Sequence, residues 1–144
     1  MTPKTVVRAG LVVLGLQGLV SGIWATACPR GFYDDFPGFG LHWISSDGPY
    51  NEHLVRDYGA LNLALATIAL LGALWLTRQI VIGAAVAWIV YAVPHLGYHI
   101  FNVHDFGTGD QIGILGGLAF APLLAVVVLA ANARASEAGT SHAE

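Results

Sequence analysis

The sequence predicts an all-α membrane protein: a bundle of four transmembrane helices with an aromatic extracytoplasmic cap between helices 1 and 2. Three observations carry this. Of the 144 residues, 56% are hydrophobic and 10% charged, whereas a soluble domain carries about a quarter charged residues. Four apolar runs each reach the length of about 20 residues that a bilayer crossing needs, and none contains Asp, Glu, Lys or Arg. Two of the three breaks between them are short; the third, residues 28–57, is long and rich in aromatic residues. The whole chain, 1–144, reads as a single integral membrane domain.

The first span is expected at about residues 9–27. Lys4 and Arg8 precede it, and Ala25-Thr26-Ala27 before Cys28 resembles a leader cleavage site. The apolar run is long for a leader, so it is read as a retained span. The second span covers about 58–76 and the third about 80–99. Only Thr77-Arg78-Gln79 separates them, so they form an antiparallel hairpin. The fourth covers about 111–131, followed by a tail over 132–144. Basic residues near span ends set orientation. With both termini cytoplasmic, Lys4, Arg8, Arg78 and Arg134 lie inside and only Arg30 and Arg56 outside; seven of the nine acids then also lie outside. The expected location is a bacterial inner membrane, the Ala, Val and Gly richness suggesting a bacterial source.

Lipid does not drive helices together by hydrophobic burial, so small residues must permit close approach. Gly18-xxx-Gly22, with Gly15 nearby, and Gly113-xxx-Gly117, with Gly116, supply that spacing. Packing within the chain is the first expectation for them, and oligomerisation through Gly18/Gly22 or Gly113/Gly117 the second. Gln17, Ser21 and Asn62 lie near mid-span and need partners inside the bundle. Pro94 and Pro122 each remove a helical hydrogen bond, and Pro94 frees the carbonyl of Val90 beside His95. In the long connection, Phe32, Tyr33, Phe36, Phe39, Trp43 and Tyr50 suit the membrane interface. The helix beyond them starts near Asn51.

With this topology His42, His53, His95, His99 and His104 gather at the outer face. His95 and His99 are four apart on one helix face, a spacing that lets two imidazoles share a divalent metal. His53 and Asp57 also share a face. Asn62 is expected at the depth of His95. One reading is a metal site of His95, His99, His53, His104 and Asp105, suited to Zn, Cu or Fe, though Leu-Gly-Tyr between the histidines supplies no glutamate base. A single haem between His53 or His42 and His95 is weaker. A second reading is a polar ligand site of His95, His99, His53, Asp57, Asn62, Tyr91 and Tyr98. A third is a hydrogen-bonded network that anchors the cap.

The four spans, the capped first connection and the tight second-to-third hairpin, together with the run Arg56-Asp57-Tyr58-Gly59-Ala60-Leu61-Asn62-Leu63-Ala64, make residues 6–131 resemble the small bacterial DoxX-like integral membrane proteins. Some of those are linked to quinone-dependent oxidation. No catalytic residue carries over, and the stretch from Pro94 to Asp105 has no counterpart.

Composition excludes some functions. A net charge of −3 with scattered basic residues lacks the clustered footprint that nucleic acid requires. Cys28 is the one cysteine, so neither an intramolecular disulfide nor dithiol redox chemistry is available. Two function classes lead, with coupled transport a weaker third because no acidic residue lies mid-span. One is a non-catalytic protein, an accessory or assembly subunit of a membrane complex or a binder of a lipophilic ligand, with the lipid bilayer and other membrane subunits as partners. The other is a membrane oxidoreductase or metal-dependent enzyme acting on a hydrophobic substrate or quinol at the outer face.

Overall fold

The computed structural model describes the backbone of residues 1–140 and the side chains of residues 1–136. His142 and the end of the expected tail lie outside the described residues. Seven elements follow in order: α1 (Pro3–Ala27), α2 (Pro29–Asp35), β1 (Pro37–Gly38), β2 (Leu41–His42), α3 (Glu52–Trp75), α4 (Arg78–Asn102) and α5 (Thr108–Thr140). Among the described residues, α1, α3, α4 and the Thr108–Ser136 part of α5 are long and apolar enough to cross a membrane. These are the four expected spans, and the protein is a small multi-pass membrane protein of the predicted bundle class.

Each helix is longer than its apolar run. The runs mark the hydrocarbon thickness, whereas helix ends follow backbone chemistry. Thus α1 starts at Pro3, and Val7, ahead of the expected start, is 2% exposed. α5 continues past residue 131, where a tail was expected, because Asn132-Ala133-Arg134-Ala135-Ser136 contains no helix breaker and Asn132 is buried. α3 starts at Glu52 as expected, and the Asn51 side chain caps it by accepting the Leu54 N–H at 3.2 Å. At the α3–α4 turn Leu76 takes φ 51° and its N–H bonds to the Gly72 carbonyl at 2.9 Å, closing α3 with a left-handed residue. α4 runs unbroken through Pro94, and α5 through Pro122.

The chain divides into two compact units. One comprises residues 1–15 with everything from Thr67 onward, and the other residues 16–66. α1 and α3 therefore contribute a segment to each.

In the first unit α4 packs along α5. Its core holds Leu11, Leu14, Ala69, Val81, Ala84, Ala85, Trp88, Ala125 and Val128, all at most 1% exposed. Side chains seat directly on glycine backbone at Gly10, where a Cβ would stand 2.5 Å from Val128 Cγ2, and at Gly72, where it would stand 3.1 Å from Leu11 Cδ1. Arg8 Nε donates to the Ala73 carbonyl at 3.1 Å. The outer faces are apolar: Val90, Ile112, Leu123 and Val126 are all more than half exposed. Such surfaces suit lipid rather than water.

In the second unit the end of α1 crosses the start of α3 at two glycines. A Cβ on Gly22 would lie 2.9 Å from the Gly59 carbonyl oxygen, and one on Gly59 would lie 2.9 Å from the Thr26 backbone nitrogen. Gly22 thus packs within the chain as expected. Gly116 and Gly117 do not, since a Cβ on either meets nothing within 4 Å. Gln17 Oε1 is buried without a hydrogen-bond partner, contrary to the expectation that each mid-span polar group is paired. Asn62, 3% exposed, donates back to the Tyr58 carbonyl at 2.9 Å within its own helix.

Candidate functional site

The cap is a small folded core. Cys28 breaks α1, and Pro29 starts α2, a favoured first-turn position for proline. α2 buries Phe32 and Tyr33 against Ala25 and Val55, with Trp24, Phe36, Ile44, Tyr50 and Tyr58 around them. Phe32 is the hub. Its ring centroid lies 5.5 Å from Trp24, 4.9 Å from Phe36 and 5.4 Å from Tyr58. Such pairs add about 0.5–1.5 kcal/mol each beyond area burial.

After α2 the Phe36–Pro37 bond is cis, and β1 pairs antiparallel with β2 through Pro37↔His42 and Gly38↔Leu41. Gly38, Phe39 and Gly40 make the turn with φ of 101°, 61° and 77°, a conformation that costs glycine least. His42 Nδ1 donates to the Asp34 carbonyl at 2.6 Å, tying the hairpin to α2. His42 therefore has a structural task in the cap. The Tyr33 hydroxyl donates to the Gly48 carbonyl.

Charges in the cap pair along their own helices at i,i+4 spacing. Arg30 meets Asp34 at 2.7 Å, Arg56 meets Glu52 at 2.9 Å, and His53 Nε2 meets Asp57 at 3.1 Å. The His53–Asp57 pair has the predicted shared face, but the two side chains are 87% and 62% exposed. It is a solvated surface pair, of little worth to stability. The two cationic pins escaped sequence reasoning, although their spacing to Asp34 and Glu52 was visible. The Arg30 guanidinium sits 5.5 Å from the Tyr33 ring centroid and 4.9 Å from that of Tyr50, and Asp34 holds it above the ordinary arginine range. Arg56 Nη1 donates to the Thr26 carbonyl, bracing α3 against the end of α1.

Tyr50 titrates above the ordinary tyrosine value of 10.0, chiefly because partial burial disfavours the phenolate and secondarily because of the Glu52 carboxylate. Arg30 and Arg56 oppose this. The raised value in the folded state means that Tyr50 stabilises the fold fully below the ordinary value and loses that contribution as pH rises through the higher one. An ultraviolet alkaline titration of wild type against Tyr50→Phe is expected to show one phenol ionising later than a free tyrosine. A difference signal centred at or below the ordinary value contradicts this.

On α4 a row of rings climbs the buried stripe. Trp88 stands 6.3 Å from Tyr91, Tyr91 5.7 Å from His95, His95 5.1 Å from His99, and Tyr98 flanks His99 at 5.2 Å. Spacings of three and four residues stack side chains along one helix face, so His95 and His99 are neighbours as predicted. His95 and His99 are half-buried, and Tyr98 is 52% exposed. Two ring nitrogens on this row, Trp88 Nε1 and His99 Nδ1, are buried with no hydrogen-bond partner. Leaving a buried polar group unpaired costs about 1–3 kcal/mol.

Among the described residues no three His, Cys, Asp or Glu side chains come together in a way that could hold a metal ion. His104 and Asp105 are exposed in the α4–α5 connection. The connection is instead organised by Gln111 Nε2, which donates to the Phe106 carbonyl at 2.8 Å, with Val103 buried. The His95/His99 pair is thus a two-imidazole face between tyrosines.

No protein-family model, curated protein or solved structure matches this chain.

Proposed function

We propose that this is a non-catalytic membrane protein that binds a lipophilic ligand, with the ligand's polar head against His99 on α4. The supporting observation is His99 Nδ1, buried and without a partner between the His95 and Tyr98 rings. An imidazole nitrogen either donates or accepts, so the matching head is a carbonyl or hydroxyl oxygen on an otherwise apolar molecule. The half-exposed Tyr98 ring and the apolar outer faces of Val90 and Val93 give such a molecule an approach from lipid. His53 and Asp57 are read as a surface pair, outside the ligand contact. Orientation follows from charge. Lys4 and Arg78 line one cleft, and by the positive-inside rule that end faces the cytoplasm of a bacterial inner membrane, with both termini inside.

A short-chain quinone, carrying carbonyl oxygens on an apolar ring, is the probe. Bound at a hundred times its Kd, it should stabilise the purified protein by about 2.7 kcal/mol, read as a rise in Tm. His99→Phe keeps a ring in place and removes the nitrogen, and is expected to abolish the rise while leaving the ligand-free Tm at or above that of wild type. An equal rise in wild type and His99→Phe refutes the assignment.

A further inference from the structure

We propose a second site, independent of the α4 ring row, that binds a phosphate-bearing anion. It is a cleft of about 110 Å³ in the first unit, formed where the start of α1, the start of α4 and the end of α5 meet. Lys4, Arg78, Asn132 and Ser136 supply its polar groups, and Val7 and Leu76 an apolar wall.

Four features converge there. Lys4 and Arg78 are exposed cations, and neither makes a hydrogen bond or ion pair with a described residue. Arg8, by contrast, is committed to the Ala73 carbonyl. Arg78 is the first residue of α4, a helix of 25 residues whose cap residue Thr77 makes no side-chain cap bond. The first N–H groups of that helix are therefore left to another acceptor, and the helix dipole favours an anion. Asn132 is 8% exposed, and its amide makes no hydrogen bond to a described residue. Asn132 lines the cleft, so that amide can bond an outside partner. The Asn132 backbone carbonyl accepts the Ser136 hydroxyl at 3.2 Å. Among the described residues no Asp or Glu side chain lines the cleft. Cations, free N–H donors and an available amide, with no carboxylate among the described lining residues, make a receptor for phosphate oxygens.

The phosphate has two conceivable sources, the headgroup of an anionic phospholipid or a free phosphate, and two arms separate them. In the first, the full-length protein is reconstituted in phosphatidylcholine vesicles containing a minor share of phosphatidylglycerol, then re-extracted in mild detergent for native mass spectrometry. Retention of phosphatidylglycerol above its share, reduced about tenfold in Lys4→Gln or Arg78→Gln and unchanged in Arg134→Gln, assigns the site to a lipid headgroup. In the second, inorganic phosphate is titrated into delipidated protein; binding that disappears in the same two variants assigns it to free phosphate. Asn132→Leu removes the amide, and if that variant does not fold the two cation variants decide alone. Lipid retention that ignores Lys4 and Arg78, together with no phosphate binding, overturns the proposal.

Discussion

Phe32→Ala should cost about 3–5 kcal/mol, the range for emptying a buried aromatic position. Phe32 is 2% exposed and touches the rings of Trp24, Phe36 and Tyr58. Its partners come from α1, from the residue that ends α2 and from α3, so it joins three parts of the chain. The helices on either side supply their own backbone hydrogen bonds, so the loss should concentrate in the cap. Near-ultraviolet circular dichroism, which reports fixed aromatic packing, is expected to collapse at a lower temperature than the far-ultraviolet helical signal. A variant that melts within about 1 kcal/mol of wild type, with both signals together, would show that the cap is not a packed core.

Gly59→Ala should destabilise by about 1–3 kcal/mol, the usual cost of overpacking. The added methyl would stand 2.7 Å from Thr26 Cγ2, 2.9 Å from the Thr26 backbone nitrogen and 3.0 Å from Ala25 Cβ. Backbone cannot swing aside as a flexible side chain can, so the α1–α3 crossing itself must widen. That would also strain the Arg56 bond to the Thr26 carbonyl. Gly117→Ala is the matched control. Its methyl meets nothing within 4 Å, and alanine favours the helix by up to about 1 kcal/mol, so its Tm in detergent should hold or rise. Equal behaviour of the two variants would contradict the crossing.

These two positions show where sequence reasoning reached and where it stopped. The spans were legible because lipid imposes one length and one polarity on every crossing. Relations within one helix were legible too, since i,i+4 spacing places His95 beside His99 and His53 beside Asp57. Relations between helices were not. Gly22 belonged to a visible small-residue motif, but nothing in the sequence named Gly59 as the backbone it meets. The Gly113/Gly117 motif looked equally persuasive, yet a Cβ on Gly117 meets no described residue within 4 Å. The aromatic richness of residues 28–57 implied an ordered cap, yet the β1–β2 turn and the pinning of Arg30 over Tyr33 and Tyr50 depend on how that segment folds back on itself. The cleft between Lys4, Arg78 and Asn132 joins residues more than 50 positions apart in sequence, beyond the reach of any local pattern.

The central claim, that the unpaired nitrogen of His99 receives the head of a lipophilic ligand, is tested most directly by nitrogen NMR of the histidine rings. Protein labelled at imidazole nitrogen, with His99 assigned through His99→Phe, is compared with and without the short-chain quinone. The account predicts that the His99 Nδ1 resonance moves on binding while those of the exposed His53 and His104 stay in place. A His99 signal unmoved at quinone concentrations that raise Tm would contradict it.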